Sequence, residues 1–125
     1  MSSFQFESAL AADKSYVCLR CCGVLSDLDS IVTAYRIALE QSAQNGNLNV
    51  LVDVVELDIH NSADTIMQFF RILRDDNWLQ NRKIARLLAK EEFSNTLIGE
   101  IIECYELPMK NFTEKEEAIR WLLES

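Results

Sequence analysis

The sequence predicts an α/β fold: a mixed, mainly parallel sheet of about five strands, opened by an antiparallel hairpin and packed with about four helices. Three observations carry this expectation. Residues 49–56 read Asn-Val-Leu-Val-Asp-Val-Val-Glu, a nearly unbroken β-branched run in which Asp53 is the one strong polar interruption. A strand that apolar on both sides needs cover on both faces, so it belongs in the middle of a sheet. Strand-like and helix-like segments then alternate to the end of the chain, which implies right-handed crossovers between parallel strands. Finally, two short alternating runs near the start are close enough to form a hairpin. In such a sheet the working surface is expected at the carboxyl end of the central strand.

Each element has its own signal. Phe4-Gln-Phe-Glu alternates, and after a polar turn around Ala12-Asp-Lys14 the run Tyr16-Val-Cys-Leu-Arg-Cys-Cys ends at Gly23. Ser26 or Asp27 caps a first helix whose apolar positions Leu28, Ile31, Val32, Tyr35, Ala38 and Leu39 follow helical spacing. It should stop near Asn45-Gly46-Asn47. After the central strand, Ile59-His-Asn-Ser62 is a short polar connection into a second helix carrying Ile66, Met67, Phe69, Phe70 and Leu73. Residues 75–81 are polar and break it. Residues 83–89 have the length and flanks of a strand, with mixed propensity. A third helix is expected from Glu91 to Tyr105 on Phe93, Leu97, Ile98, Ile101 and Ile102. Pro108 ends it, since proline cannot continue the backbone ladder. Met109 to Phe112 makes a short last strand, and Thr113 with Glu116 fits a capping box opening a final helix that buries Ala118, Trp121 and Leu122.

Bulk properties narrow the classes further. The 125 residues suit one domain spanning 1–125, and 49% apolar, 26% charged, three Gly and one Pro leave little room for linkers. A net charge of −8 repels phosphate backbones and anionic lipid surfaces, so no nucleic acid partner is expected. The start Met-Ser-Ser-Phe-Gln-Phe-Glu lacks the pattern of a signal peptide, and no window has the apolar length of a membrane span. The expected address is cytoplasmic, with no membrane insertion. Three of the four cysteines, Cys18, Cys21 and Cys22, crowd into one predicted strand, with Cys104 apart, which favours reduced, buried thiols over a disulfide framework. Cys18 and Cys21 should point to opposite faces, which leaves a C-x-x-C redox or zinc role without its geometry.

The element order, with Val52-Asp-Val-Val-Glu-Leu57 in the middle and Phe112-Thr-Glu-Lys-Glu-Glu-Ala-Ile-Arg-Trp-Leu122 at the end, resembles the SpoIIAA-like proteins. These belong to the STAS fold group, the anti-sigma-factor antagonists and the cytoplasmic parts of sulfate transporters. The resemblance covers almost the whole chain. It implies a small non-enzymatic module, without a cofactor, that binds a partner protein or ligand. In the better known members it is switched by phosphorylation of a Ser or Thr where the central strand meets the next helix. Carried onto this chain, that residue is Ser62, with Thr65 second. The family pattern there is Asp-Ser or Asp-Thr, then Ser or Thr and Gly; this chain has His60-Asn-Ser-Ala-Asp64, without the Gly and with an added Asp.

Each candidate also has a plain structural role. Ser62, after Asn61, can simply cap a helix, although phosphate there would meet free amides and the helix dipole. Asp53, Glu56, Asp58 and His60 form an acidic rim that suggests a metal or acid/base site. Strand alternation places Asp53 opposite to Asp58 and His60, and one His with no second ligand motif favours a solvated loop. Arg20, Asp53 and Arg86 are charges inside predicted strands, to be paired across strands or, for the arginines, to line an anion pocket. Residues 71–90 hold six basic and two acidic side chains. Arg71, Arg74, Arg82 and Arg86, around the aromatic Trp78, could form a patch for an anion or an acidic partner, or a solvated face.

The preferred expectation is a cytoplasmic, non-catalytic regulatory or binding module of STAS-like type. It would act on a protein or small ligand near the end of the central strand. The alternative is a carrier of an apolar or anionic, lipid-like molecule, suggested by Met67, Phe69, Phe70, Phe93 and Trp78 beside the basic stretch; core packing explains the same residues. An enzyme using the acidic rim is third. Two-fold pairing into a homodimer fits a domain of this size.

Overall fold

The computed structural model describes residues 3–89 and 93–124, and for Phe93 the backbone alone. The expected helix start at Glu91 and the basic Lys90 therefore lie outside the described residues. The elements run β1 (Gln5–Leu10), β2 (Val17–Leu25), α1 (Leu28–Gln44), β3 (Val50–Ile59), α2 (Ala63–Asp75), β4 (Ile84–Leu87), α3 (Phe93–Cys104), β5 (Met109–Phe112) and α4 (Lys115–Leu123). The predicted order is the observed one. Strands lie side by side as β1-β2-β3-β4-β5, with β1 antiparallel to β2 and every other neighbouring pair parallel. The β-branched run thus occupies the centre of a mainly parallel five-stranded sheet.

Alternation along the strands sorts the core into two layers. Val17, Leu19 and Cys21 of β2 and Val50, Val52 and Val54 of β3 pack with Ala34, Tyr35, Phe69, Phe70 and Ile98 from the first three helices. On the other face Leu51, Ala85 and Leu87 pack with Ala118 and Leu122 of α4. Val50, Leu51 and Val52 are each at most 1% exposed, the two-sided cover that the run demanded. Alone among the described helices on that face, α4 packs on β3, β4 and β5. Glu7, Arg20 and Glu56 stay exposed on the uncovered half of the sheet.

Several boundaries differ from the expected ones for physical reasons. Gly23 does not end β2, which continues to Leu25. Its φ of 87° and a bridge between Ser3 and Val24 explain the glycine: a Cβ there would run into the carbonyl oxygen of Ser3. The first helix takes Asp27 as its cap, with Oδ2 accepting from Ser30 N–H at 3.0 Å. At α4 the cap falls on Glu114, one residue after the Thr expected to open a capping box, and no side chain bonds there. Thr113 therefore caps nothing. Among the thiols only Cys21 is buried; Cys18 and Cys22 are half-buried and Cys104 is exposed. Burial pushes the Cys21 thiol up to about 12.

The central strand itself carries the main correction. It does not end at Glu56 but runs to Ile59, tied there by His60 N–H donating to Leu25 O at 2.8 Å. Arg20 faces Asp53 across the ladder, whereas Cys22 faces Glu56, so β3 holds one residue more than β2 between those pairs. This bulge reverses the alternation. Val54 packs on the helical layer before it and Leu57 and Ile59 after it, which leaves Asp53, Glu56 and Asp58 together on the opposite face. Simple alternation had set Asp53 against Asp58.

Candidate functional site

The candidate that the sequence pointed to lies at the end of β3 and the start of α2. Ser62 has extended backbone, φ −68° and ψ 161°, and caps α2: its Oγ accepts from Thr65 N–H at 3.2 Å and lies 3.0 Å from Thr65 Oγ1. Its hydroxyl stands on an exposed residue at the helix end where backbone N–H groups gather. Asp64, in the same first turn, places a carboxylate beside it. His60 Nε2 lies 2.9 Å from Asp58 Oδ2, both well exposed. Asn61, between His60 and Ser62, turns inward. Its Oδ1 is buried and has no hydrogen-bond partner among the described residues.

What Asn61 turns toward is a cavity of about 40 Å³ between the ends of β2 and β3 and the helices. Its walls are apolar, including Leu57, Ile66 and Phe70, except for Tyr35, Asn61, Thr65 and Arg86. Arg86 is 3% exposed. Its Nη1 donates to Asn111 Oδ1 at 2.9 Å and its Nη2 to Asn95 Oδ1 at 3.1 Å. It also bonds the Tyr35 hydroxyl. Desolvation pushes the Tyr35 phenol up to about 12, a rise that the Arg86 charge only partly offsets.

The acidic rim lies on the other face of the sheet from this cavity. Arg20 Nη2 meets Glu56 Oε2 at 3.1 Å, with both side chains mostly exposed, and the neighbouring carboxylate holds the guanidinium above its ordinary range. Asp53, opposite Arg20, accepts from Val55 N–H at 3.1 Å and so occupies a backbone donor that the bulge releases. Arg20 and Arg86 point to opposite sides of the sheet, which rules out an anion pocket shared between them. Among the described residues no three or more His, Cys, Asp and Glu side chains are placed to hold a metal ion.

The basic residues of the second half do not gather into one surface. Arg71 is exposed on α2. Arg74 pairs through Nε with Asp75 Oδ1 at 2.8 Å and stacks 4.3 Å over Tyr105. Arg82 donates to the carbonyls of Leu39 at 2.8 Å and Trp78 at 2.9 Å. Trp78 is half-buried against the helical layer, with Arg36 5.9 Å from its ring. Together with Arg82 these two line an open groove at the opposite end of the strands from Ser62. Arg36 was missed from sequence because its partner is 42 positions away, at a separation that no local pattern reports. The cavity was missed for the same reason: Tyr35 and Ile98 read as ordinary core positions.

No helix among the described residues is long and apolar enough to cross a membrane. At the level of sequence, no protein-family model matches the chain and no curated protein does. Solved structures do. One is an uncharacterised protein of the DUF3478 family with a SpoIIAA-like fold, from Shewanella loihica, with TM-score 0.60 and 18% identity, covering 98% of this chain and 95% of that one. The anti-sigma factor antagonist SpoIIAA in its unphosphorylated form aligns with TM-score 0.48 and 16% identity over 98% of this chain and 100% of its own. The chain has a SpoIIAA-like fold.

Proposed function

We propose that this SpoIIAA-like domain is a non-catalytic regulatory or binding module, acting on a protein partner or small ligand where β3 meets α2, with Ser62 as the residue that switches it. The observation that carries the reading is the exposed Ser62 hydroxyl at the N-cap of α2. It follows directly on the central strand of a sheet whose working surface is expected at the carboxyl strand ends. A phosphate added there gains the helix dipole and free backbone amides and loses part of that gain to Asp64. Thr65, bonded to the same hydroxyl, is the secondary acceptor. Asp58 and His60, exposed and within hydrogen-bond distance of each other just before Asn61, suit a polar partner surface. The Arg36–Trp78–Arg82 groove is a second contact area for an acidic partner, far from the switch.

The reading also covers the alternative of a carrier. A cavity of about 40 Å³ is roughly a tenth of the volume that encloses a drug-sized ligand, so it suits a small group and disfavours a lipid-like cargo. The test is phosphate mapping. The purified domain is incubated with ATP and soluble extract of its source cells, and its peptides are analysed by mass spectrometry. The expected result is phosphate on Ser62 that disappears in Ser62→Ala; phosphate confined to other residues, or none, contradicts the assignment.

A further inference from the structure

We infer that the outer edge of β1 is an interface and that its occupant is a second copy of this chain: two β1 strands pair antiparallel about a two-fold axis at Ser8, joining two sheets edge to edge. The inference does not use Ser62, whose junction of β3 and α2 lies away from this margin of the sheet.

The backbone carries the first argument. β1 stands at the end of the strand order, and among the described residues no strand pairs with its outer side. Ala11 N–H donates to Tyr16 O, and Val17 sends its own N–H to Asn49 O on the far side of β2. In the unbroken register with β2, the odd-numbered residues of β1 therefore bond inward, and Phe6, Ser8 and Leu10 turn their N–H and C=O groups outward. Such an edge is a template for another strand. Nothing blunts it: Gln5–Leu10 holds no Pro, no Lys and no bulge, and Glu7 is its one charge. The opposite edge, β5, is four residues long and carries Lys110.

The helix above the edge carries the second. Gln41 of α1 accepts from the Ser8 hydroxyl, while Ser30 and Thr33 adjoin Phe4 and Phe6 around a shallow hollow, so this side of α1 overhangs β1. At helical spacing the strip reads Ser30, Thr33, Ile37, Gln41 and Gln44, without a charge, in a chain that is 26% charged. Ile37 on it is 42% exposed. Depletion of charge around an uncovered apolar side chain marks a surface that is covered in use.

Register selects the occupant. Opposite residues of an antiparallel pair share a face, so an axis at Ser8 sets Phe6 against Leu10 of the copy on the helical side and Glu7 against its Ala9 on the open side. Moving the axis to Glu7 would put two carboxylates face to face, which is unfavourable. A strand of another protein would satisfy the backbone groups alone. A second copy also brings its own uncharged α1 strip to lie across the axis and cover Ile37.

The test is sedimentation equilibrium from about 1 µM to about 500 µM, in about 0.15 M salt so that the net charge of −8 is screened beyond roughly 8 Å. The mass should rise with concentration toward twice that of the chain. Ser8→Pro, which removes only an outward N–H, and Ile37→Lys should each weaken the pair at least about tenfold. Ala9→Lys, facing Glu7 of the copy, should tighten it about threefold, and Ala9→Glu should weaken it by as much. A single-chain mass at every concentration overturns the inference. So does a pair that ignores Ile37→Lys, or that answers the two Ala9 changes alike, since it then uses another face or register. Should Ser8→Pro fail to fold, Ile37 and Ala9, both exposed side chains, decide the question.

Discussion

At the scale of single residues, burial does most to set the chemistry of this chain. Tyr35 is 3% exposed, and burial pushes its phenol from the ordinary value of 10 up to about 12. The unfolded chain therefore loses that proton first as pH rises. Its contribution is fully present below pH 10 and is lost between about pH 10 and pH 12, the sign required when the folded state binds more protons. Cys21 acts in the same direction from about pH 9. By pH 11 the Tyr35 contribution amounts to about 1 kcal/mol of lost stability. Thermal melts at pH 8 and pH 11 should accordingly fall further for the unaltered protein than for Tyr35→Phe; equal falls would mean that the phenol is not shielded. None of this was legible beforehand. The spacing of Leu28, Ile31, Tyr35 and Leu39 marked Tyr35 as core, but its partner Arg86 comes from β4 through the fold and not through the local pattern.

At the scale of elements the sequence was most legible, because strand and helix periods are local properties. Asp27 and Ser62 were readable as caps from residue type and position, and both bond a backbone N–H as a cap should. The bulge in β3 was not readable. Val54-Val55 looks like two ordinary strand residues, and only pairing with β2 reveals that one is extra. Asp53 is then explained as more than a charge in a strand, since its carboxylate takes up the N–H of Val55. Replacing Asp53 with Ala should cost about 1 kcal/mol in urea unfolding, and Asp53→Asn, which keeps an acceptor oxygen, should restore most of it. Equal losses in both variants would point to the charge facing Arg20, not to the bulge, as the source of the effect.

At the scale of the whole molecule, the two faces of the sheet divide the work. Three helices build a deep core on one side, while the short α4 covers only part of the other. The exposed acidic rim falls on that thinly covered side. The cavity and Asn61 fall on the deep side, where the expected carboxyl end of β3 meets α2. The sequence placed the junction of β3 and α2 from one β-branched run and the helix after it. It could not show a cavity there, because a void is defined by side chains that α1, α2, α3 and β4 bring together from distant stretches. A ligand role for this junction requires that void to be open and reachable. A crystal structure under xenon pressure tests it most directly. The expected result is a xenon atom enclosed by Leu57, Ile66 and Phe70 beside Asn61; a collapsed pocket, with the Asn61 amide turned to solvent and no bound xenon, would rule the void out.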